Sequence, residues 1–293
     1  MRKTRMILIV KAFAILTVLM SMQSVSAHMG HEHESKEKGM LYVLGMGPSG
    51  PDLASKKALE ILKNADAVLG HRRHIQKKFD QYVNQGQVAF NPWEGIHGGN
   101  ASELRENNYP KWKKRVQDME KKVRDFALKK IKKGQSVAIM DSGDPCVYGP
   151  SMYFLLKDFP RQHMEIVPGI SAFNAASAAL EQSMTSADAR FVMLTSPRSL
   201  FGDKDKKDYS ILKHLSKYDS TLVFYMALET IDTLTQKMQQ HYPKDLPAAI
   251  VYYAGYPDKE KVVRGTLQSI AKKEDEHDES WLGMLIIGKA VVK

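Results

Sequence analysis

The chain has 293 residues, 43% of them hydrophobic, with 43 Lys and Arg, 33 Asp and Glu, 10 His and a single cysteine. At roughly 100–200 residues per domain this length holds one large domain or two medium ones, and the apolar fraction excludes wholesale disorder. One cysteine excludes an intrachain disulfide framework and any zinc site built on two or four cysteines. The formal net charge is +10, but residues 1–27 hold Arg2, Lys3, Arg5 and Lys11 and no acid, and without these four charges the balance is +6. A mildly basic chain suits anionic small ligands and argues only weakly for nucleic acid.

Met1–Arg5 is a basic run, and an apolar stretch follows it. The clean part, Ala12–Met20, is shorter than the roughly 20 residues a bilayer span needs. Val25-Ser26-Ala27 then supplies an A-x-A-like cleavage site. The pattern is that of a secretory signal peptide over 1–27, removed after Ala27; the alternative is an uncleaved anchor. Either way the basic end stays inside and the rest is exported, in a bacterium to the periplasm, with no stable membrane insertion after cleavage. An unpaired Cys146 is harmless in an oxidising compartment. Residues 28–39 bring His28, His31 and His33 beside Glu32 and Glu34. Such density can hold a transition metal, but a solvated flexible tether is the favoured reading, and no metal is assigned.

Met40–Met46 reads as a strand ending in glycine, and Asp52–Ala65 as an amphipathic helix. Ala67–Gly70 and Val88–Phe90 are further strand candidates, and Tyr109–Lys133 is a long helix of interleaved charges, the mark of a solvated face. Strands follow at 136–140, 164–167, 191–194, 221–225, 248–251 and 283–287, with helical patterns at 174–180, 207–216, 228–241 and 267–273. This alternation indicates an α/β protein with largely parallel sheets. The seam is expected near residues 157–163, giving an N-terminal α/β domain over 40–160 and a C-terminal one over 161–293.

Three Gly- and Pro-rich loops follow three of these strands: Gly45-Met46-Gly47-Pro48, Ser142-Gly143-Asp144-Pro145 and Pro168-Gly169-Ile170-Ser171. Ligands of open α/β sheets sit beyond the carboxyl ends of strands, where glycine lets them approach the backbone. The first loop lacks the Gly-Lys-Ser/Thr ending of a phosphate loop, and Pro48 and Pro51 speak against a dinucleotide fingerprint. Asp144 sets a carboxylate in a tight turn. It is able to accept from ribose hydroxyls or an ammonium group, or to bond its own backbone as an Asx-turn.

In combination these segments resemble the tetrapyrrole (corrin/porphyrin) methylases, the class III S-adenosylmethionine-dependent methyltransferases. The resemblance covers roughly Met40–Val292. It is carried by Leu44–Pro48, Leu59–Leu69, Ser142–Gly149 (SGDPCVYG), Val167–Ala172 (VPGISA), Thr221–Met226 (TLVFYM) and Val251–Leu267. It implies two α/β domains with the cofactor in the cleft between them, and a homodimer. The family's cofactor contacts map onto Pro48, Ser142, Gly143, Asp144, Val147, Ser171, Ala172, Met226 and Ala254. The implied reaction is C-methylation of a tetrapyrrole or corrinoid precursor of precorrin type. The positive sulfur activates the methyl group, so such an enzyme mainly aligns nucleophile and leaving group, and no catalytic base is assigned. Arg72 and Arg73, with Lys77 and Lys78, are candidates to pair with the substrate's carboxylates, or are solvated surface.

The first loop departs from the family pattern, with Ser49-Gly50 where relatives commonly have Gly-Asp. Gly70–His74 looks like methylases of late, ring-contracted precorrins, whereas Val251–Leu267 looks like precorrin-4 C11-methyltransferases. Residues 92–115, with Trp93, Trp112 and Gly95–Gly99, form a long segment that is either a substrate lid or an enlarged loop. His71, His74 and His97 read as surface or packing residues. An exported protein and a cytoplasmic cofactor fit together poorly, so a second reading stands beside the enzyme: an exported, non-catalytic binder of a tetrapyrrole or metal. Methylation of RNA or protein is disfavoured by the absence of a basic stripe interleaved with exposed aromatics.

Overall fold

The computed structural model describes residues 39–97, 100–202, 208–274 and 282–291. The expected signal peptide, and residues 28–38 of the His-rich segment, lie outside these.

Strands β1 (Leu41–Gly45), β2 (Ala67–Leu69), β3 (Val88–Phe90), β4 (Val137–Asp141) and β5 (Met164–Val167) form one parallel sheet in the order β3-β2-β4-β1-β5. Its interior strands are buried at every position, and apolar but for Asp141, because helices cover both faces. Leu41, Val43, Val137 and Ile139 pack on Trp112, Val123, Ala127 and Ile131 of the long helix Tyr109–Ile131. Tyr42, Leu44, Ala138 and Met140 point the other way, onto Ala58 and Leu62 of α1 (Lys56–Asn64) and Ile75 of α2 (Arg72–Lys78). The period of two along each strand therefore sorts the core into two layers. Helix α1 starts later than its pattern suggests because the Ser55 side chain accepts from the Ala58 N–H at 3.2 Å, which caps it there. Residues 51–53 form a separate 3₁₀ turn. Asn108 caps the long helix through the Lys111 N–H at 3.1 Å. A short helix, α3 (Asn100–Asn107), precedes that long helix, α4.

Strand β5 lies C-terminal to the expected seam at 157–163, yet it pairs with β1. The first sheet thus extends past that seam: β1 needs a second partner to cover its open edge.

The second sheet comprises β6 (Phe191–Thr195), β7 (Ser220–Phe224), β8 (Pro247–Tyr252), β9 (Lys261–Thr266) and β10 (Gly283–Ile287), in the order β6-β7-β10-β8-β9. Only β6 and β7 are parallel; β10 runs antiparallel to both β7 and β8, and β8 to β9. The expectation of largely parallel sheets is therefore corrected here. A short loop folds β8 back onto β9, and a hairpin forces antiparallel pairing. One face buries Leu222, Phe224, Ile250 and Leu285 against α8 (Ile231–Met238), and α7 (Ile211–Leu215) also joins that core through Leu212. The other buries Val223, Ala249, Val251 and Ile286 against Ala175, Ala176 and Leu180 of α5 (Ala172–Leu180). Helices α6 (Pro197–Phe201) and α9 (Ile270–Glu274) complete the element order. No helix among the described residues is long and apolar enough to cross a membrane.

Candidate functional site

Strands β6, β7 and β8 run in one direction, since β8 and β7 are each antiparallel to β10. Loops from their carboxyl ends meet loops from the carboxyl ends of β1, β4 and β5. Three contacts define the meeting. Tyr148, after β4, stacks on Tyr225, after β7, with ring centroids 4.7 Å apart and planes 15° from parallel. Gly255, after β8, lies so close to the loop after β1 that a Cβ on it would stand 2.5 Å from Leu53 Cδ1 and 3.4 Å from Pro48 Cγ. Gly143 lies beside the start of α5, where a Cβ would be 3.6 Å from the Ala172 N.

The loops are tied to each other by backbone. Gly143 N–H donates to the Gly47 carbonyl at 2.8 Å, and Gly47 N–H donates to the Gly143 carbonyl at 3.2 Å. Asp144 is buried; its Oδ1 accepts from the Cys146 N–H at 2.7 Å and its Oδ2 from the Gly169 N–H at 2.9 Å. The Asx-turn is thus real, and the same carboxylate also pins the loop after β5 to the loop after β4. Ser171 caps α5, accepting from Asn174 N–H at 3.3 Å and donating to Asn174 Oδ1 at 2.7 Å. Gly169 and Gly45 press together: a Cβ on either would come within 2.8 Å of the other's backbone. No side chain fits between these two loops.

Non-glycine residues with left-handed backbone are uncommon. Tyr148 (φ 62°), Met226 (φ 52°) and Tyr253 (φ 49°) adopt it in the loops that follow β4, β7 and β8 respectively. Such strain concentrates at binding sites, where turns aim backbone groups outward. Cys146, Val147, Tyr148, Leu194, Thr195 and Tyr225 line a cavity of about 240 Å³. The Tyr225 hydroxyl is buried near Ser171 and the Phe173 backbone without a well-formed hydrogen bond. Burial holds its pKa above the ordinary tyrosine value. Burial, with the Asp144 charge, also pushes the Cys146 thiol up, so this cysteine is a poor nucleophile at neutral pH.

The structure brings Pro48, Ser142, Gly143, Asp144, Val147, Ser171, Ala172 and Met226 to this one set of loops. Met226 is 51% exposed, an apolar side chain left open at the edge of the cleft. Ala254 is buried in the core beside Ala175, so its side chain faces the second sheet's core. The basic cluster divides. Arg72 donates to the Val88 carbonyl at 3.0 Å and to Gln85 at 3.4 Å, which ties α2 to the start of β3. Arg73 is exposed. Lys78 alone of the four is seen in contact with the cleft loops, donating to the Ser49 carbonyl. His71 caps α2 by accepting from His74 N–H at 3.3 Å, and His97 packs between Trp93 and Phe154. Among the described residues no group of three or more His, Cys, Asp or Glu is placed to hold a metal ion.

Sequence reasoning passed over Tyr148, Tyr225 and Thr195 as individual residues. For Tyr225 the available signal was an aromatic directly after the end of β7, where a side chain has no sheet neighbour to pack on; Tyr148 lies well beyond the end of β4 and carried no such signal.

The wider comparisons agree with this architecture. The model of the Tetrapyrrole (Corrin/Porphyrin) Methylases matches residues 40–271. The cobalt-precorrin-4 C(11)-methyltransferase of Methanocaldococcus jannaschii is 25% identical over 85% of this chain and 87% of its own length. The X-ray structure of a cobalt precorrin-4 methyltransferase superposes with a TM-score of 0.63 at 26% identity, covering 87% of this chain and 96% of the other. The fold is shared with a uroporphyrin-III C-methyltransferase from Thermus thermophilus, solved with S-adenosylhomocysteine, at a TM-score of 0.57 and 21% identity over 86% of this chain and 99% of the other. With four fifths of its length matched in order, and the matched loops gathered at one cleft, the chain belongs to the tetrapyrrole (corrin/porphyrin) methylases.

Proposed function

We propose that this protein is an S-adenosylmethionine-dependent C-methyltransferase acting on a tetrapyrrole or corrinoid precursor. The observation that carries this reading is the convergence of the loops after β1, β4 and β5 with those after β7 and β8, where Tyr148 stacks on Tyr225 and Asp144 ties the loop after β5 to the loop after β4. Support also comes from the relatives' names, several of them precorrin-4 C(11)-methyltransferases.

The residues present fit the cofactor. The cavity of about 240 Å³ lies below the roughly 300–1,000 Å³ of whole-ligand pockets, so it takes one part of an elongated molecule, and the rest lies along the open loops. Tyr225 Oη is a buried polar atom in want of a partner. When bound, S-adenosylmethionine supplies a methyl group activated by a positive sulfur. Tyr148, Val147 and Met226 offer apolar surface and the exposed Ser142 offers a hydroxyl, while Gly47 and Gly143, bonded to each other through N–H and carbonyl, leave room for close approach. Asp144 acts by holding the loops in register, and its remaining lone pairs face whatever donor enters beside it. Preorganisation of this kind suits a reaction that depends on alignment more than on proton transfer.

The same reading includes a homodimer and export after cleavage at Ala27. The edge strand β6 supports self-association, since Phe191 is 39% exposed beside the exposed Tyr218 ring. Calorimetric titration of residues 28–293 with S-adenosylhomocysteine tests the core of the proposal. Micromolar binding is expected, weakened by about 1.5–3 kcal/mol in Asp144→Ala, which leaves two backbone donors unpaired. No uptake at millimolar ligand would overturn it. Transfer of labelled methyl to a panel of precorrins then identifies the substrate.

A further inference from the structure

Lys78 is the last residue of α2, and its side chain leaves that helix for the cleft. Its Nζ donates to the Ser49 carbonyl, in the loop after β1. The same Nζ lies 4.0 Å from the centroid of the Tyr256 ring, in the loop joining β8 to β9. Burial, aided by Lys77 and Lys259, holds its pKa below that of an ordinary lysine. One ammonium therefore touches both loops that form this wall of the cleft, and those loops come from different sheets.

Both loops need such a tie to different degrees. The β8–β9 loop is organised on itself: Gly255 N–H donates to Glu260 Oε2 at 2.6 Å, and Tyr253 and Tyr256 pack edge to face at 5.5 Å. The loop after β1 is looser at Ser49-Gly50, where a Cβ on Gly50 would meet nothing within 4 Å. Behind it Gly255 leaves no slack against Leu53, so a shift of one loop displaces the other. A cation over an aromatic face gains electrostatically and more so when desolvated, and an ammonium has three donors to divide between ring and carbonyl.

We propose that Lys78 is a positioning residue of this site: its ammonium, held between the Ser49 carbonyl and the Tyr256 ring, clasps the loop after β1 to the β8–β9 loop and fixes that wall of the cleft. What the wall contacts rests on the methyltransferase reading; the clasp itself does not. A lysine serving only as apolar packing would be replaced by methionine without loss. A lysine acting as a clasp would be replaced by arginine, which keeps both the donor and the cation.

The experiment uses residues 28–293 with Lys78→Met, Lys78→Arg, Tyr256→Phe, Tyr256→Leu and the Lys78→Met/Tyr256→Leu pair. Hydrogen exchange without ligand reads the clasp; titration with S-adenosylhomocysteine and the KM-against-kcat split read the positioning. Lys78→Met is expected to speed exchange in both 46–53 and 253–260 and to weaken ligand binding about tenfold, the scale of a partly desolvated cation–π contact plus a charged hydrogen bond. KM for the cofactor rises with kcat little changed, because the wall binds ground and transition states alike. Lys78→Arg and Tyr256→Phe stay near the wild type, and the double variant is no worse than Lys78→Met alone. Unchanged exchange at 253–260 in Lys78→Met, or additive effects in the pair, overturns the proposal. If Lys78→Met does not fold, Tyr256→Leu opens the same clasp from its other side and is read the same way. Wild-type protein that takes up no S-adenosylhomocysteine sinks the methyltransferase reading instead, and the exchange data still decide the clasp.

Discussion

Asp141 ends β4 at 2% exposure, and burial pushes its carboxyl up to about 6; the Ser151 N–H, 3.2 Å from Oδ2, opposes that rise, and the Asp144 charge adds to it. The unfolded chain therefore releases this proton at lower pH than the folded one. Its contribution to stability is full below about pH 4 and is lost as pH rises to about 6, a difference of about 3 kcal/mol at most. His74 has the opposite sign. Burial, then the charges of Lys78 and His71, lower it to about 4. Its contribution is full above about pH 6.5 and is lost as pH falls towards 4, because the unfolded imidazole takes up a proton first. The two windows overlap with opposite slopes; His74 is exposed and its share is the smaller, so wild-type stability should fall as pH rises from 4 to 6, less steeply than Asp141 alone would make it. Asp141→Asn keeps an acceptor for Ser151 and removes one slope; its denaturation midpoint should rise with pH across this window. His74→Gln removes the other, and its midpoint should fall. Denaturant titrations at several pH values that gave all three proteins the same profile would rule out the opposition.

Strand ends carry the next level of organisation, and there glycine is a steric requirement. A Cβ on Gly169 would stand 2.4 Å from the Gly143 carbonyl and 2.7 Å from the Gly45 backbone. Gly169→Ala must therefore drive the loop after β5 away from β1 and β4, and it pulls the Gly169 N–H off Asp144. A loss above about 2 kcal/mol is expected, with cofactor binding reduced in step, since a buried carboxylate oxygen is left unpaired. Gly86→Ala, where nothing lies within 4 Å, should change stability by less than about 0.5 kcal/mol. Equal thermal shifts for the two variants would show that the three loops are not rigidly joined. The requirement at 169 was legible in the sequence as a Pro-Gly pair after a strand, and most strands were legible because strands buried on both faces, parallel or not, are nearly continuous apolar runs. Other elements were not. β9 is an edge strand of mixed character, Lys261–Thr266, whose pairing is dictated by β8. α2 reads as a basic run because its only buried residue is Ile75. The antiparallel course of β10, which lies between β7 and β8, depends on pairing with two strands distant in sequence, which local pattern does not encode. Likewise Tyr148–Tyr225 and Lys78–Tyr256 join residues far apart in sequence, and each contact exists only because two sheets face each other.

For the molecule as a whole, the decisive property is that the cleft belongs to both sheets. The Tyr148–Tyr225 stack and the Pro48–Gly255 contact each have one partner from each sheet. A ligand seated there binds only when both are folded, and so stabilises them as one unit. At a concentration 100 times its dissociation constant, S-adenosylhomocysteine should add about 2.7 kcal/mol. At roughly 2–4 °C per kcal/mol for a chain of this size, the thermal midpoint should rise by about 5–10 °C in a single transition. Asp144→Ala should lose most of that rise, since its loops no longer hold the ligand, while Arg73→Ala, whose exposed side chain has no contact with the cleft loops, should retain it. Two transitions, with only one moved by ligand, would assign the binding energy to one sheet and refute a shared cleft. A single transition that moves, together with slowed exchange in loops after both β4 and β7, would place the ligand between them, where alignment of a methyl donor with a planar acceptor requires two walls.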